Sequence, residues 1–260
     1  MGVTLVISVY KDYEALNLVL DSVVRQSVQP QQIILAHDTI DPGIQTTIQR
    51  FISSLKMDHI DQMDSGFNKN RILNKAIIRA NNEHLVFTDG DCILHPKFIE
   101  EHRRYLRNGI FTAGRRTDLD AKTSAGIRNR GIHHLGMLRM LLNGTKRLEE
   151  ALYFGSPLIS SSKTAKLLGC NMGWCKSDLE KLNGFDMDYT LPGYGEDTDI
   201  EFRAKLSGMK VQNMRWKALQ YHLHHERLDR EINITQSRNL YESKCKIGYF
   251  YCENGLTQLS

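Results

Sequence analysis

The first ninety residues alternate short apolar runs with helical stripes, and few folds accommodate that alternation. Val3 to Val9 is a continuous apolar, β-branched run. Leu16, Val19, Leu20, Val23 and Val24 then recur at helical spacing, and Pro30 follows them. Ile33-Ile34-Leu35-Ala36 is a second run, and Ile44, Ile48, Phe51, Ile52 and Leu55 form a second stripe. Ile60 to Met63 predicts a weak third strand, and Ile72, Leu73, Ala76, Ile77 and Ala80 predict a third helix. Leu85-Val86-Phe87-Thr88 predicts a fourth strand. Strands separated by helices imply an α/β fold, a mostly parallel sheet with helices on both faces. Strands that are apolar throughout fit a sheet covered on both sides. Ligands of open α/β sheets bind outside the carboxyl ends of the strands. Ser8, Tyr10, Lys11, Asp38 and the turn after Thr88 are therefore candidate site residues.

Several function classes are excluded. No GxGxxG and no GxxxxGK[ST] occurs, which removes dinucleotide enzymes and P-loop NTPases. The 260 residues can bury a large core without a metal or disulfide staple. The cysteines, Cys92, Cys170, Cys175, Cys245 and Cys252, are odd in number and form no CxxC pair, which fits a reducing compartment. No apolar run approaches the roughly 20 residues that span a bilayer. Met1 to Tyr10 lacks the basic start and cleavage site of a signal peptide, so a cytoplasmic location is expected. A net charge of +4 suits an anionic ligand or a membrane surface and is too weak to argue for nucleic acid.

Two acidic clusters carry the chemistry. Asp89-Gly90-Asp91 directly follows the fourth predicted strand. Asp-Gly by itself is first of all a turn dipeptide. At the end of a buried strand in this topology, paired carboxylates favour a divalent cation, Mn²⁺ or Mg²⁺, with phosphate oxygens completing its shell. Gly193-Tyr194-Gly195-Glu196-Asp197-Thr198-Asp199 opens a predicted helix that ends near Gly208. Acids at a helix start are stabilised by its dipole. Three in four residues exceed what capping needs, and crowding raises carboxyl pKa values as a general base requires. Ser177-Asp178-Leu179-Glu180 reads as a capping box. Asn171 and Trp174 suit a sugar site, with core packing an equal alternative for Trp174. In Tyr221-His222-Leu223-His224-His225 an imidazole can complete a metal site; on a strand, His222 and His224 share one face.

Together these segments resemble family 2 glycosyltransferases over residues 3 to about 225. Val3 to Tyr10 resembles their opening strand, Asp89-Gly90-Asp91 their DxD motif, and Phe67 to Ile77 their nucleotide-holding segment. Asn183-Gly184-Phe185-Asp186, followed by Gly195-Glu196-Asp197-Thr198-Asp199-Ile200 and Arg203, resembles the acceptor segment shared with galactosyltransferases and chondroitin-polymerase-type enzymes. The resemblance implies a GT-A fold in a single domain: a nucleotide-binding half (1–113), a variable insertion (114–168), an acceptor half (169–225) and a tail (226–260). It implies inverting transfer from a nucleotide-sugar, UDP foremost, to a glycan or lipid-linked saccharide in surface polysaccharide synthesis. Asp91, His222 and His225 would hold the metal. Ser8, Tyr10, Asp38, Lys69, Arg71, Asn74 and Asp89 would contact the nucleotide. Asp197 would be the catalytic base and Glu196 would orient the acceptor, beside Gly195, Asn171 and Trp174.

Asn183 replaces a glycine of the family pattern, and Thr198 stands where galactosyltransferases often carry an acid. The insertion holds Arg115, Arg116, Arg128, Arg130, Arg139, Lys146 and Arg147 around an apolar segment, Leu135 to Leu142. The leading expectation is a core-facing helix; the alternative is contact with a membrane surface or an anionic lipid-linked acceptor. Two rival functions remain. A sugar nucleotidyltransferase would carry a Gly-rich basic loop after the first strand, which Tyr10-Lys11-Asp12-Tyr13 is not. A glycan- or nucleic-acid-binding module leaves both acidic clusters unexplained.

Overall fold

The computed structural model describes residues 1–156, 158–159, 161, 165–226 and 231–259, without the side chains of 231–233. In chain order its elements are β1 (Val3–Val9), α1 (Tyr13–Val24), β2 (Gln32–His37), α2 (Ile44–Phe51), β3 (Met57–Asp61), α3 (Lys69–Arg79), β4 (His84–Asp89) and β5 (Cys92–Leu94). Then come α4 (Phe98–Tyr105), β6 (Ile110–Ala113), β7 (Thr117–Asp118), α5 (Ala121–Arg130), α6 (Met137–Leu142), β8 (Met172–Cys175) and α7 (Lys176–Lys181). The last are α8 (Glu196–Leu206), β9 (Lys210–Asn213), β10 (Gln220–His222) and α9 (Glu231–Ile247).

The large sheet runs β3-β2-β1-β4-β8-β6-β9. β1 pairs in parallel with β2 and β4, and β2 with β3; β8 enters antiparallel to both β4 and β6. The chain thus leaves β1 in one direction for β2 and β3, and in the other for β4. The carboxyl ends of β1 and β4 form the switch point where such sheets bind ligands.

Alternate residues of each strand feed different layers. Leu5, Ile7 and Val9 pack with Leu16, Val19 and Leu20 of α1 and with Phe98 and Ile99 of α4. Val6, Leu85 and Phe87 pack with Ile72, Leu73 and Ile77 of α3, and with Phe111, Trp174 and Ile200. Both faces are buried, so the strands need apolar residues at every position. The third strand lies at Met57–Asp61, a few residues before the expected Ile60 to Met63. It is an edge strand of half-buried residues, and its apolar signal is correspondingly weak.

A second sheet, β5-β10-β7, leans on the first. It carries a third apolar cluster in which Ile93, Tyr221 and Leu223 meet Leu119, Ile127 and Met140. Residues 119–151 of the insertion are thereby packed onto the strands that follow Asp91. The expectation of a core-facing helix over Leu135 to Leu142 is corrected: Met140 is the one buried residue of α6, while Leu138, Leu141 and Leu142 are 68%, 61% and 74% exposed. The expected capping box is also corrected. β8 runs straight into α7, whose N-cap is Cys175; Ser177 already lies inside the helix and bonds Glu83. Among the described residues no helix is long and apolar enough to cross a membrane.

His102 on α4 is fully buried where the sheet meets α4. Its Nδ1 lies 2.7 Å from Thr112 Oγ1 and its Nε2 lies 3.0 Å from Asn171 Oδ1. The Asn171 amide nitrogen donates to Arg115 O (2.7 Å) and Ala218 O (2.9 Å), so Oδ1 is left to accept from Nε2–H of a neutral ring. Burial pushes the His102 pKa down to about 4, against a weaker opposing effect of the Asn171 bond. A folded-state pKa below the unfolded value of 6.5 means that stability is complete above pH 6.5 and is lost as pH falls toward 4. Denaturant titrations should show a loss of about 2 kcal/mol by pH 5. The loss should shrink in His102→Gln; an unchanged slope would remove His102 as its source.

Candidate active site

The site begins where β4 ends. Ser8 and Asp89 are register partners, and Gly90 N donates to Ser8 O at 2.8 Å. A Cβ at position 90 would lie 3.2 Å from that oxygen, so glycine allows β1 and the turn to approach closely. The chain then turns into β5, which pairs antiparallel with β10, Cys92 opposite His222. Leu223 N donates to Asp91 O at 3.0 Å. That pairing carries the late histidines to the early aspartates.

Asp91, His222 and His225 offer ligand atoms that all lie within 4.8 Å of one another. His222 Nε2 is 3.3 Å and His225 Nε2 is 3.6 Å from Asp91 Oδ2. Burial works against the Asp91 carboxylate, but the His222 bond and charge, the Cys92 thiol and His225 outweigh it and hold its pKa at about 2. The other ring nitrogens face acceptors. His225 Nδ1 is 2.9 Å from Glu226 O, and His222 Nδ1 is 3.7 Å from Asp118 Oδ1. A ligating imidazole needs such an outward partner to present its free nitrogen to the ion. One carboxylate and two imidazoles form a mixed oxygen–nitrogen set that suits Mn²⁺ better than Mg²⁺, which prefers oxygen alone. The residues present therefore fit a divalent cation. Asp118 was not anticipated from the sequence. It lies on a two-residue strand that pairs with β10, His222 opposite Asp118, and no local pattern marks it.

The second acidic cluster meets the first through one lysine. Lys69 Nζ at the start of α3 donates to Asp89 Oδ1 at 3.0 Å and Glu196 Oε1 at 3.1 Å. Its side chain is 13% exposed. Burial disfavours the ammonium, and the charges of Asp89 and Glu196 overcome this to raise its pKa well above the usual lysine value. Glu196 is raised instead: burial and its neighbours Asp197 and Asp89 exceed the pull of Lys69. Asp197 Oδ2 accepts from Gly169 N at 3.1 Å. Gly195 caps α8 at φ +108°, where a Cβ would lie 2.2 Å from Tyr189 Cδ1, so only glycine seats the two carboxylates here.

Asp199, the third acid, does a different job. It is buried with Arg203, whose Nε donates to it at 2.7 Å. The guanidinium also donates to Leu182 O (2.8 Å) and Gly184 O (2.9 Å), and Tyr249 OH donates to Asp199 at 2.6 Å. Asn183 adopts φ +61°, a left-handed conformation that asparagine tolerates, which explains how it stands in for glycine.

On the nucleotide side, Asp38 follows β2, buried, and accepts from Gln62 Nε2 (2.6 Å) and Asn68 N (3.1 Å). Burial raises its pKa against those two bonds. Tyr10 is exposed beyond β1 and shares Asp64 with Lys11. Arg71 is exposed on α3, without an ion pair among the described residues. Three expected contacts are corrected. Asn74 is buried, donating to Phe185 O (2.7 Å) and accepting from Phe185 N (2.8 Å), and so clamps a loop. Asn171 is spent on His102, Arg115 and Ala218, as described above. Trp174 is fully buried, stacked on Phe111 with ring centroids 4.4 Å apart.

Mostly parallel sheet, switch-point aspartates and a second acidic helix start define a glycosyltransferase domain of the GT-A type. The family described as "Glycosyltransferase like family 2" matches residues 1–237, and the chain belongs to it. Mannosyltransferase PcManGT from Pyrobaculum calidifontis, in complex with GDP-Man and Mn2+, superposes with a TM-score of 0.62 at 15% identity, over 94% of this chain and 64% of that one. S. aureus TarS 1-349 in complex with UDP gives 0.61 at 15% identity, over 94% and 65%. A further S. aureus TarS structure gives 0.59 at 12% identity, over 94% and 39%. At these identities the likeness is one of fold, and the chain spans between about two fifths and two thirds of those chains. No curated protein sequence matches significantly.

Removing one member of a buried ion pair leaves the other charge uncompensated and costs about 3–5 kcal/mol. Asp199→Asn should therefore unfold at much lower denaturant than wild type in an equilibrium titration. An unchanged midpoint would show that the Arg203 carbonyl bonds suffice.

Proposed function

We propose that the protein is a metal-dependent inverting glycosyltransferase that moves a sugar from a nucleotide-sugar donor to a glycan or lipid-linked saccharide. The observation that carries this reading is the meeting of Asp91, His222 and His225 within 4.8 Å, beside the Asp89–Lys69–Glu196 link. Asp91 and the two histidines would hold Mn²⁺ or Mg²⁺, which when bound supplies Lewis-acid stabilisation of a leaving diphosphate. Lys69 sets a fixed cation between Asp89 on the donor side and Glu196 on the acceptor side. Asp38 would contact the nucleotide base, with Ser8 and Tyr10 at the neighbouring strand end. Inversion needs one carboxylate to take the proton of the acceptor hydroxyl, and no covalent nucleophile. Asp197 has that role, with Glu196 and Gly195 orienting the acceptor. GDP-Man with Mn2+ in one similar structure, and UDP and UDP-GlcNAc in others, support a nucleotide-sugar donor. UDP is the leading nucleotide by family analogy. A role in surface polysaccharide synthesis, on the cytoplasmic side of a membrane, follows from the same analogy.

Thermal unfolding against UDP, GDP, CDP and TDP, each with Mn²⁺ or EDTA, tests the donor half. A ligand at 100 times its Kd adds about 2.7 kcal/mol, a clear rise in Tm. One nucleotide should raise Tm only with Mn²⁺ present, and His222→Ala should abolish the rise; no shift with any nucleotide would sink the proposal. For the base, Asp197→Asn should keep the donor-induced shift and lose turnover by about 10²–10⁴-fold. Full turnover in that variant would reassign the base.

A further inference from the structure

The insertion contains a feature that sugar transfer does not use. α5, α6 and the turn between them border an open surface cavity of about 400 Å³. Its charged lining is entirely basic, Lys122, Arg130 and Arg139, with His134, Asn129 and Asn143 as neutral polar groups. Among the described residues none of Lys122, Arg130 and Arg139 has an ion pair. Their basic neighbours in sequence differ. Arg128 pairs with Asp12 at 2.7 Å, Arg116 with Asp118 at 3.0 Å, and Arg115 donates to Lys166 O at 2.6 Å. Three cations without a carboxylate partner among the described residues thus stand together around this cavity.

The cavity is shaped rather than incidental. Asn143 Nδ2 donates to Thr123 Oγ1 at 3.0 Å and joins the end of α6 to α5. Arg139 Nη1 donates to His134 O at 2.9 Å, which holds one edge. A Cβ at Gly126 would lie 2.7 Å from the His134 ring, so the missing side chain admits the imidazole into the wall. Beside this basic cavity α6 exposes Leu138, Leu141 and Leu142, with Met137 partly so. The next strand contact, Lys146 N to Asp118 O at 3.0 Å, ties the same segment to the carboxylate facing His222.

From this juxtaposition we propose that the α5–α6 face docks on a bilayer, the basic cavity holding the phosphate of an anionic phospholipid headgroup and the α6 leucines entering the interface. Charge complementarity selects an anion. Four exposed apolar side chains next to it select a lipid surface over a free phosphate or a nucleic acid, neither of which covers leucine. Cations at headgroup depth and leucine below them is the arrangement of an interfacial helix. The proposal goes beyond the transfer reading and does not depend on it, since no residue of the acidic site takes part.

Co-sedimentation of the full chain with phosphatidylcholine vesicles, with and without phosphatidylglycerol, tests it. Binding should require phosphatidylglycerol and weaken at high salt. Arg130→Gln/Arg139→Gln should weaken it by about 25-fold, at about fivefold per arginine. Leu138→Ser/Leu142→Ser should weaken it comparably. All four positions are exposed, so both variants should keep the wild-type Tm and the wild-type Tm response to nucleotide and Mn²⁺. That response separates failure here from failure of the transfer reading. Three results would overturn docking: no binding to anionic vesicles, equal binding to neutral ones, or binding that the leucine changes leave intact. Competition by inorganic phosphate at the same strength as by vesicles would assign the cavity to a free anion instead.

Discussion

Four carboxylates, Asp89, Asp91, Glu196 and Asp197, converge at one rim of the sheet, and their mutual repulsion is the constraint that the surrounding structure must satisfy. At close range and partly out of water, such repulsion is strong. Lys69 answers part of it, with one ammonium shared between Asp89 and Glu196. His222 and His225 answer another part at Asp91. Glu196 keeps a raised pKa even so, first because it is buried and then because Asp197 and Asp89 add to that effect against Lys69. A rim with residual negative charge is prepared for a cation, and a nucleotide diphosphate can approach it only with one.

The rest of the architecture holds these charges in place. β4 delivers Asp89 and Asp91, and the small sheet folds β10 back across β5 to bring in the histidines. Asp118 on β7 stands behind His222, so three distant segments meet around one imidazole. On the acceptor side, the buried Arg203–Asp199 pair and its carbonyl bonds fix α8 against the 182–184 turn. Asn70 and Asn74 reach from α3 to the backbone of Asp186 and Phe185. α3 therefore supports both halves of the site: Lys69 at its start meets the charges, and its asparagines clamp the loop ahead of α8.

The alternation of the first ninety residues, the strand-end position of Asp89 and Asp91, and the helix start at Glu196 were all readable, because each is a local pattern. The pairing of Asp91 with His222 and His225 was suggested by family resemblance alone, since the two stretches lie on opposite sides of the insertion. Asn74, Asn171 and Trp174 misled for a common reason. Amide and indole side chains fill a buried core as readily as they line a ligand site, and residue type does not separate the two uses. α6 misled in the opposite direction: its apolar pattern looks like core packing, but only Met140 has a core to enter.

By itself the sequence determined a two-faced α/β sheet, its switch-point acids, the glycine-led helix start and the family to which these belong. It could do so because periodicity, turn chemistry and strand ends are properties of neighbouring residues. Only the tertiary structure decided which acids are free and which are spent, that Lys69 joins the two clusters, that Asp118 backs His222, and that the α6 leucines face outward. Those outcomes depend on burial and on contacts between segments far apart in the chain, and no local pattern encodes either.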